Sequence, residues 1–405
     1  MTPSQSVKCN IALVFTFIIT SLIIQFDASA NNDIRLSGFG SLVGGIVLDG
    51  DGYWARQPEG AGKYVDGIEL QSESRLGIQA DYKINPDWNI TGQLMVRGVN
   101  EFKPELEWFY ASYKLTAEST LKVGRMRLPV YHFSDYMDVG VAYPWLRVPS
   151  DAYSLAVTNY QGVNIDMNFD FDSFTSRVRL YTGSQSTDPN KLITDIEMYK
   201  AHQLYDANGR FRGGNAVRTT KDYQDFVGFV VDSNKDEYSL RISYLDGREN
   251  FTYYNPGGYP DDPLFGGDWV DTQFLDVSLQ YDNGQILAIA EWNKYDTIYK
   301  SWFASVAYRT DTWSPYVFYS EFIGEYRFIA AGGIKNGYED GVTGTLDDDY
   351  STIGIGARYN LNPRTALKIE FLSFMDDGDA AVFIDQNQDG KTESSAVFFS
   401  IDFAF

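Results

Sequence analysis

The sequence predicts an all-β fold, a transmembrane antiparallel up-and-down β-barrel of about sixteen strands. Three features point there. Apolar and polar residues alternate with period two in segments of roughly ten residues. The connections between those segments alternate between short and long. The chain closes on an alternating aromatic strand that ends at Phe405.

Residues 1–30 read as a signal peptide and stand apart from the fold. Lys8 and the N-terminus supply a positive flank, Ile11 to Ile24 an apolar run, and Ala28-Ser29-Ala30 a small-x-small cleavage site, so the mature barrel is expected over residues 31–405. The run of about 14 residues is short of the roughly 20 that a spanning helix needs. The single cysteine, Cys9, lies in this segment and leaves the mature chain without a disulfide. No Pro- or Ser-rich linker divides the rest, which reads as one unit.

A mean hydropathy of −0.29 is too polar for a helical membrane protein. The 16% aromatic content, with 29 Tyr and 36 Gly, suits strands that meet lipid on one face and water on the other. A net charge of −22 argues against binding nucleic acid or anionic membranes, which need clustered Lys and Arg, and suggests a cation preference for a pore.

The alternation is clearest in hairpins. Ile78, Ala80 and Tyr82 alternate with Gln79 and Asp81; after the turn Asn85-Pro86-Asp87, Ile90, Leu94 and Val96 oppose Asn89, Thr91, Gln93 and Arg97. The pattern recurs at Val178 and Leu180, at Leu240 to Tyr244, at Leu275 to Tyr281, at Ile353 to Tyr359 and at Leu367 to Phe371. Short connections are expected near Asn85, Ala117, Asp172, Ser233, Asn283, Thr312 and Asn362. Long ones are expected over Asp49 to Gly67, Arg127 to Tyr153, Gln185 to Asp222, Asp246 to Val270, Gly324 to Asp349 and Asp376 to Glu393. Aromatics at the short turns, such as Trp88, Tyr281, Trp313 and Tyr359, suit an interfacial girdle. Arg75, Arg97, Arg177, Arg179, Arg241, Glu291 and Glu370 lie on the polar faces, which no soluble sandwich would bury against another sheet.

From Ser395 to Phe405, Val397, Phe399, Ile401, Phe403 and Phe405 share one face. This segment resembles the C-terminal strand signal of outer-membrane proteins, and Gly38-Phe39-Gly40-Ser41 and Leu121 to Arg127, LKVGRMR, resemble the opening strand and the Gly-Arg step of bacterial porins. The resemblance implies a homotrimeric porin in the outer membrane of a Gram-negative bacterium. It would be surrounded by outer-membrane lipid, presented to the barrel-assembly machinery through Phe405, and would pass small hydrophilic solutes and ions. It further implies that the third external connection, Leu128 to Tyr153, folds inward as a constriction, although the Pro-Glu-Phe-Gly-Gly stretch of the enteric pattern is absent.

Rings of facing charges set ion preference. The expected constriction therefore comprises Tyr131, His132, Asp135 and Asp138 from the loop against Arg75, Arg97, Arg177 and Arg179 from the wall. A sugar-selective channel, with Tyr131, Tyr136, Tyr143 and Trp145 as a stacking track, is the alternative. A structural or receptor barrel with a closed pore is another. Asp385, Asn387 and Asp389, followed by Gly390, match the first half of a calcium loop, or else form an Asx-rich turn. Thr194-Asp195-Ile196-Glu197 reads as a capping box opening a short helix. His132 and His202 stand in no nucleophile motif, and no cofactor signature is present, so enzymatic activity is not expected.

Overall fold

The computed structural model describes residues 33–48, 52–56, 62–64, 67–155, 157–186, 193–194, 217–254, 263–296, 298–324, 326–328, 344–346, 349–376, 383–385 and 393–405. The expected signal peptide, His202, Asn387 and Asp389 lie outside them, as does most of the expected helix beyond Thr194.

Sixteen antiparallel strands close into a barrel: β1 (Ile34–Val47), β2 (Arg75–Lys83), β3 (Trp88–Arg97), β4 (Glu105–Lys114), β5 (Ser119–Arg127), β6 (Asn159–Asp170), β7 (Thr175–Gln185), β8 (Val217–Lys235), β9 (Tyr238–Tyr254), β10 (Pro263–Asp282), β11 (Ile286–Tyr295), β12 (Tyr299–Tyr308), β13 (Trp313–Gly324), β14 (Tyr350–Asn362), β15 (Thr365–Asp376) and β16 (Glu393–Ala404). Closure is made by β1, which pairs with β2 from Ile34↔Tyr82 and with β16 from Phe39↔Ala404. Gly38 and Phe405 exchange backbone hydrogen bonds at 2.9 Å each, and the Phe405 ring lies over Gly38 where any Cβ would collide with it. Closing the sheet removes the unpaired edges that an open one would leave.

The short turns are built by side chains that satisfy the backbone. Asn85 Oδ1 accepts from Asp87 N and Trp88 N at 2.9 Å each, Asn283 Oδ1 from Ile286 N at 2.7 Å, and Asn362 Oδ1 from Arg364 N at 2.8 Å. Aromatic pairs flank these turns: Trp88 with Tyr113 at 4.7 Å, Tyr238 with Tyr281 at 5.1 Å and Trp313 with Tyr359 at 4.7 Å. Above them the outward faces carry exposed apolar side chains, including Ile78, Leu94, Phe109, Leu279, Val306, Ile355 and Ile369. An apolar belt this broad needs lipid rather than water around it.

Two expected connections are shorter than the sequence suggested. β9 runs on to Tyr254 and β10 begins at Pro263, with Glu249↔Val270 and Asn250↔Trp269 in register, and β8 already begins at Val217. Beyond the apolar belt both strand faces meet water, so the ladder continues after the alternation has faded. The expected short turn near Ser233 falls at residues 236–237, with Ser233 still paired to Leu240. Thr194, expected to cap a helix, pairs as a strand with Val217, because the projecting end of β8 offers an edge there.

Candidate functional site

The connection between β5 and β6, residues 128–158, is described except at Ala156, and it carries two short 3₁₀ turns, Ser134–Tyr136 and Gly140–Ala142. Its hydrogen bonds reach inward-facing side chains on opposite walls. His132 N donates to Glu291 Oε1 on β11 at 2.9 Å, Trp145 Nε1 to Ser305 Oγ on β12 at 2.7 Å, and Asp151 Oδ2 accepts from Ser320 Oγ on β13 at 2.6 Å. Across the lumen, Arg75 Nε on β2 donates to Asp138 O at 2.9 Å and Arg97 Nη2 on β3 to Asp138 Oδ2 at 2.9 Å. A segment that bonds to the buried faces of strands on both sides of a closed barrel lies within it.

The segment is packed there as a hydrophobic core. Phe133 sets its ring edgewise to Trp145 at 5.3 Å, Tyr131 stacks on Tyr153 at 4.3 Å, and Trp145 meets Phe303 of β12 at 6.0 Å. Trp145, Leu146, Ala152 and Tyr153 are almost wholly enclosed. Full burial of an aliphatic or aromatic side chain contributes roughly 1.5–3 kcal/mol, so this packing holds the segment firmly.

Charged anchors complete the attachment. Asp138 is enclosed by Arg97, Arg127 and Arg75; burial opposes its ionisation, but Arg97 and Arg127 outweigh that and hold the carboxyl far below the usual carboxylate range. Glu107 joins the cluster, taking Arg97 at 2.8 Å and Arg127 at 3.3 Å. It reaches inward because the β3–β4 register slips between Gln93 and Leu94, leaving Glu107 at a bulge. On the other side Arg147 pairs with Glu73 at 2.6 Å and lies 4.0 Å over the Phe398 ring. Lys368 of β15 reaches Asp402 at 3.1 Å and the Gly140 carbonyl at 2.7 Å.

Facing β5–β9 the segment presents a different surface. Asp135, 42% exposed, meets Arg179 of β7 at 3.3 Å. The wall continues with Asp166 of β6, held by Arg179 at 2.7 Å, Arg177 at 3.1 Å and Lys122 of β5 at 2.7 Å, and with Asp232 of β8 paired to Arg241 of β9 at 2.8 Å. Arg177 is 41% exposed, and Tyr110 and Tyr136 are half-buried beside this wall. Asp135 and Arg177 are the most exposed of these charges, whereas Arg179, Asp166 and Arg241 are nearly buried in their ion pairs.

The sequence-predicted residues thus divide. Asp135, His132, Arg177 and Arg179 gather around the charged wall, whereas Asp138, Arg75 and Arg97 are buried anchors and Tyr131 belongs to the segment's core. His132 sits between the two, its Nδ1 2.8 Å from Ser278 Oγ; burial, with Arg241 nearby, lowers the imidazole to about 4. The proposed stacking track is dismantled: Tyr131, Tyr143 and Trp145 are enclosed, and Tyr136 alone of the four keeps partial exposure. Glu73, Glu107, Arg127, Arg147 and Lys368 were not singled out from sequence: Arg147 meets Glu73 and Lys368 meets Gly140 from far along the chain, and Glu107 turns inward only at a bulge. Asp385 pairs through its backbone with Gly52, and the remainder of the expected calcium loop lies outside the described residues.

No protein-family model matches the chain, and no curated protein matches it by sequence. Solved structures do match in fold. A loop-deletion mutant of OmpT, an outer membrane protein of Vibrio cholerae, superposes with a TM-score of 0.51 at 12% identity, covering 92% of this chain and 100% of that one. OmpF of Salmonella typhi, in complex with daunomycin, gives 0.51 at 14% identity over 92% and 97% of the two chains. An anion-selective porin from Comamonas acidovorans gives 0.51 at 13% identity over 92% and 100%. At these identities the likeness is one of fold: the chain has the architecture of outer-membrane β-barrels, porins among them.

Proposed function

We propose that this chain is a porin-like channel of a Gram-negative outer membrane, through which small hydrophilic solutes and ions diffuse down their gradients. The observation that carries the reading is the charged wall of β5–β9, where Lys122, Arg177, Arg179 and Arg241 interleave with Asp166 and Asp232, and where Asp135 of the inward segment pairs with Arg179 at 3.3 Å while staying 42% exposed. Facing charges at a narrow section govern which ions pass. Because both signs alternate along this wall, the intrinsic ion preference is weak. The net charge of −22 adds a cation bias only through acidic residues elsewhere in the chain. A homotrimer belongs to the same reading, supported by the apolar seam where Phe399 and Phe405, each 40% exposed, lie over Gly44 and Gly38. The reading assigns no catalysis, His132 being committed to Ser278.

Planar-bilayer recording of the refolded protein under a salt gradient tests this. Discrete steps in threes with a small reversal potential support it. Absence of steps from protein shown to be folded by heat-modifiable gel migration overturns it. That second outcome favours a closed receptor-like barrel, which the packed core of residues 128–158 would equally suit.

A further inference from the structure

The channel reading uses the inner face of the barrel and leaves one feature of the outer face without a task. On the neighbouring strands β11 and β12, Lys294 stands directly opposite Lys300. Their chain neighbours point inward: Asn293 donates to the Ala152 carbonyl at 2.8 Å, the Tyr299 hydroxyl meets that of Tyr131 at 3.2 Å, and Tyr295 and Ser301 are enclosed. Successive strand side chains alternate between faces, so both lysines point out of the barrel. Residues opposed in this way hold their Cβ atoms about 5 Å apart, and like charges there are destabilising. Among the described residues Lys294 has no ionic partner, Asp296 in the turn beyond it included.

The outer face sets this pair at the level of lipid headgroups. Ile286 and Tyr308 mark the short-turn rim of the two strands, and each lysine lies eight residues further along its strand. At about 3.4 Å per residue and a tilt of about 40°, that is about 20 Å across the membrane, near the far edge of an apolar belt about 25 Å tall. One outward position nearer the belt, Trp292 stands opposite Trp302, and Tyr319 of β13 lies 5.2 Å from Trp302. Such rings prefer the membrane interface. Below the tryptophans Ala290 faces Ala304, flanked by Leu279 and Tyr319, which leaves a shallow trough that an acyl chain fits. Glu321 of β13, opposite Trp302, accepts its indole N–H at 2.7 Å and so is already engaged beside the lysines. On the short-turn rim of the same sector the cation Arg309 is instead neutralised by Asp282.

We propose that Lys294 and Lys300 hold the phosphate of a membrane lipid between them, forming a fixed lipid site on the outer wall at the rim opposite the short turns. The headgroup rests on the two ammonium groups and an acyl chain lies along Ala290 and Ala304. A phosphate placed there relieves the repulsion within the pair.

Native mass spectrometry of the refolded protein in neutral detergent tests this, with phosphatidylglycerol and phosphatidylcholine of identical chains titrated separately. The wild type should retain phosphatidylglycerol at lower concentration than phosphatidylcholine. Lys294→Gln with Lys300→Gln should weaken phosphatidylglycerol retention about 25-fold, at about fivefold per lysine, and leave phosphatidylcholine unchanged. Lys83→Gln with Lys114→Gln removes the same charge from exposed positions on the short-turn rim, and should leave both lipids unchanged. Equal retention of the two lipids by the wild type overturns the proposal. So does an unaltered phosphatidylglycerol titration in the Lys294/Lys300 variant, or equal weakening in the Lys83/Lys114 variant, which would reduce the effect to net charge. Displacement of the lipid by millimolar inorganic phosphate would likewise overturn it in favour of a free-anion site. If the double variant does not fold, as judged by heat-modifiable migration, Lys294→Gln alone decides by the same criterion at about fivefold. Lipid retention is read without current, so the outcome is independent of whether the barrel conducts.

Discussion

A Cβ built on Gly140 would stand 2.3 Å from Asp402 Oδ1 and 2.8 Å from Ser41 Oγ. The backbone of the inward segment thus lies directly against β1 and β16, where Lys368 holds the Gly140 carbonyl. No side chain fits between them. Gly140→Val should push the segment off this wall at a cost of about 1–3 kcal/mol. The expected readout is a larger, noisier single-channel conductance than wild type; an unchanged trace contradicts this contact.

The Asp138 cluster anchors the segment to the adjoining strands β2 and β3. Removing one partner of a buried ion pair costs about 3–5 kcal/mol, because the other charges stay enclosed. Asp138→Ala should therefore leave Arg97 and Arg127 with less carboxylate charge than they need, Glu107 remaining, and expose the segment to proteolysis in an otherwise folded barrel. Protease resistance equal to wild type would show that the aromatic core alone holds it.

The charged wall makes a prediction about selectivity. Arg177→Gln together with Arg179→Gln removes two positive charges beside Asp135 and Asp166, and should move the reversal potential towards cations. Asp135→Asn should move it the other way. If neither substitution shifts the potential, ions do not pass along β5–β9.

His132 gives the segment an acid-side sensitivity. Its closed-state value of about 4 lies below the ordinary 6.5, so its contribution is complete above about pH 6.5 and is lost as pH falls towards about 4. Hydrogen–deuterium exchange of 128–158 should therefore accelerate on acidification across that window. His132→Gln should abolish the acceleration, and its persistence would place the acid response elsewhere.

The calcium pattern at Asp385, Asn387 and Asp389 predicts that millimolar calcium raises the unfolding temperature of the refolded barrel. No shift, together with no calorimetric heat, would leave an Asx-rich turn.

The barrel itself was legible because membrane and water impose opposite demands on the two strand faces. Ile78, Leu279 and Ile369 read as outward and are outward; Arg97, Glu291 and Glu370 read as wet and point in. The path of residues 128–158 had to come from family resemblance, since its anchors join residues far apart in sequence: Arg147 with Glu73, Lys368 with Gly140, Trp145 with Ser305. Glu107 was hidden for another reason, since only a bulge turns it inward between Leu106 and Trp108. Reading Tyr143 and Trp145 as pore-lining failed because an inward segment has two sides, and the sequence does not say which one packs.

The central claim is that residues 128–158 form a fixed element inside the barrel, and a crosslink tests it most directly. Asp151 Oδ2 and Ser320 Oγ are 2.6 Å apart, and residues 31–405 hold no cysteine, so in that chain Asp151→Cys with Ser320→Cys can be oxidised selectively. The account predicts that the disulfide forms in the refolded protein and that single-channel conductance is the same before and after oxidation. Failure to crosslink, or a conductance that falls when the bond closes, would contradict it and show that the segment spends its time elsewhere.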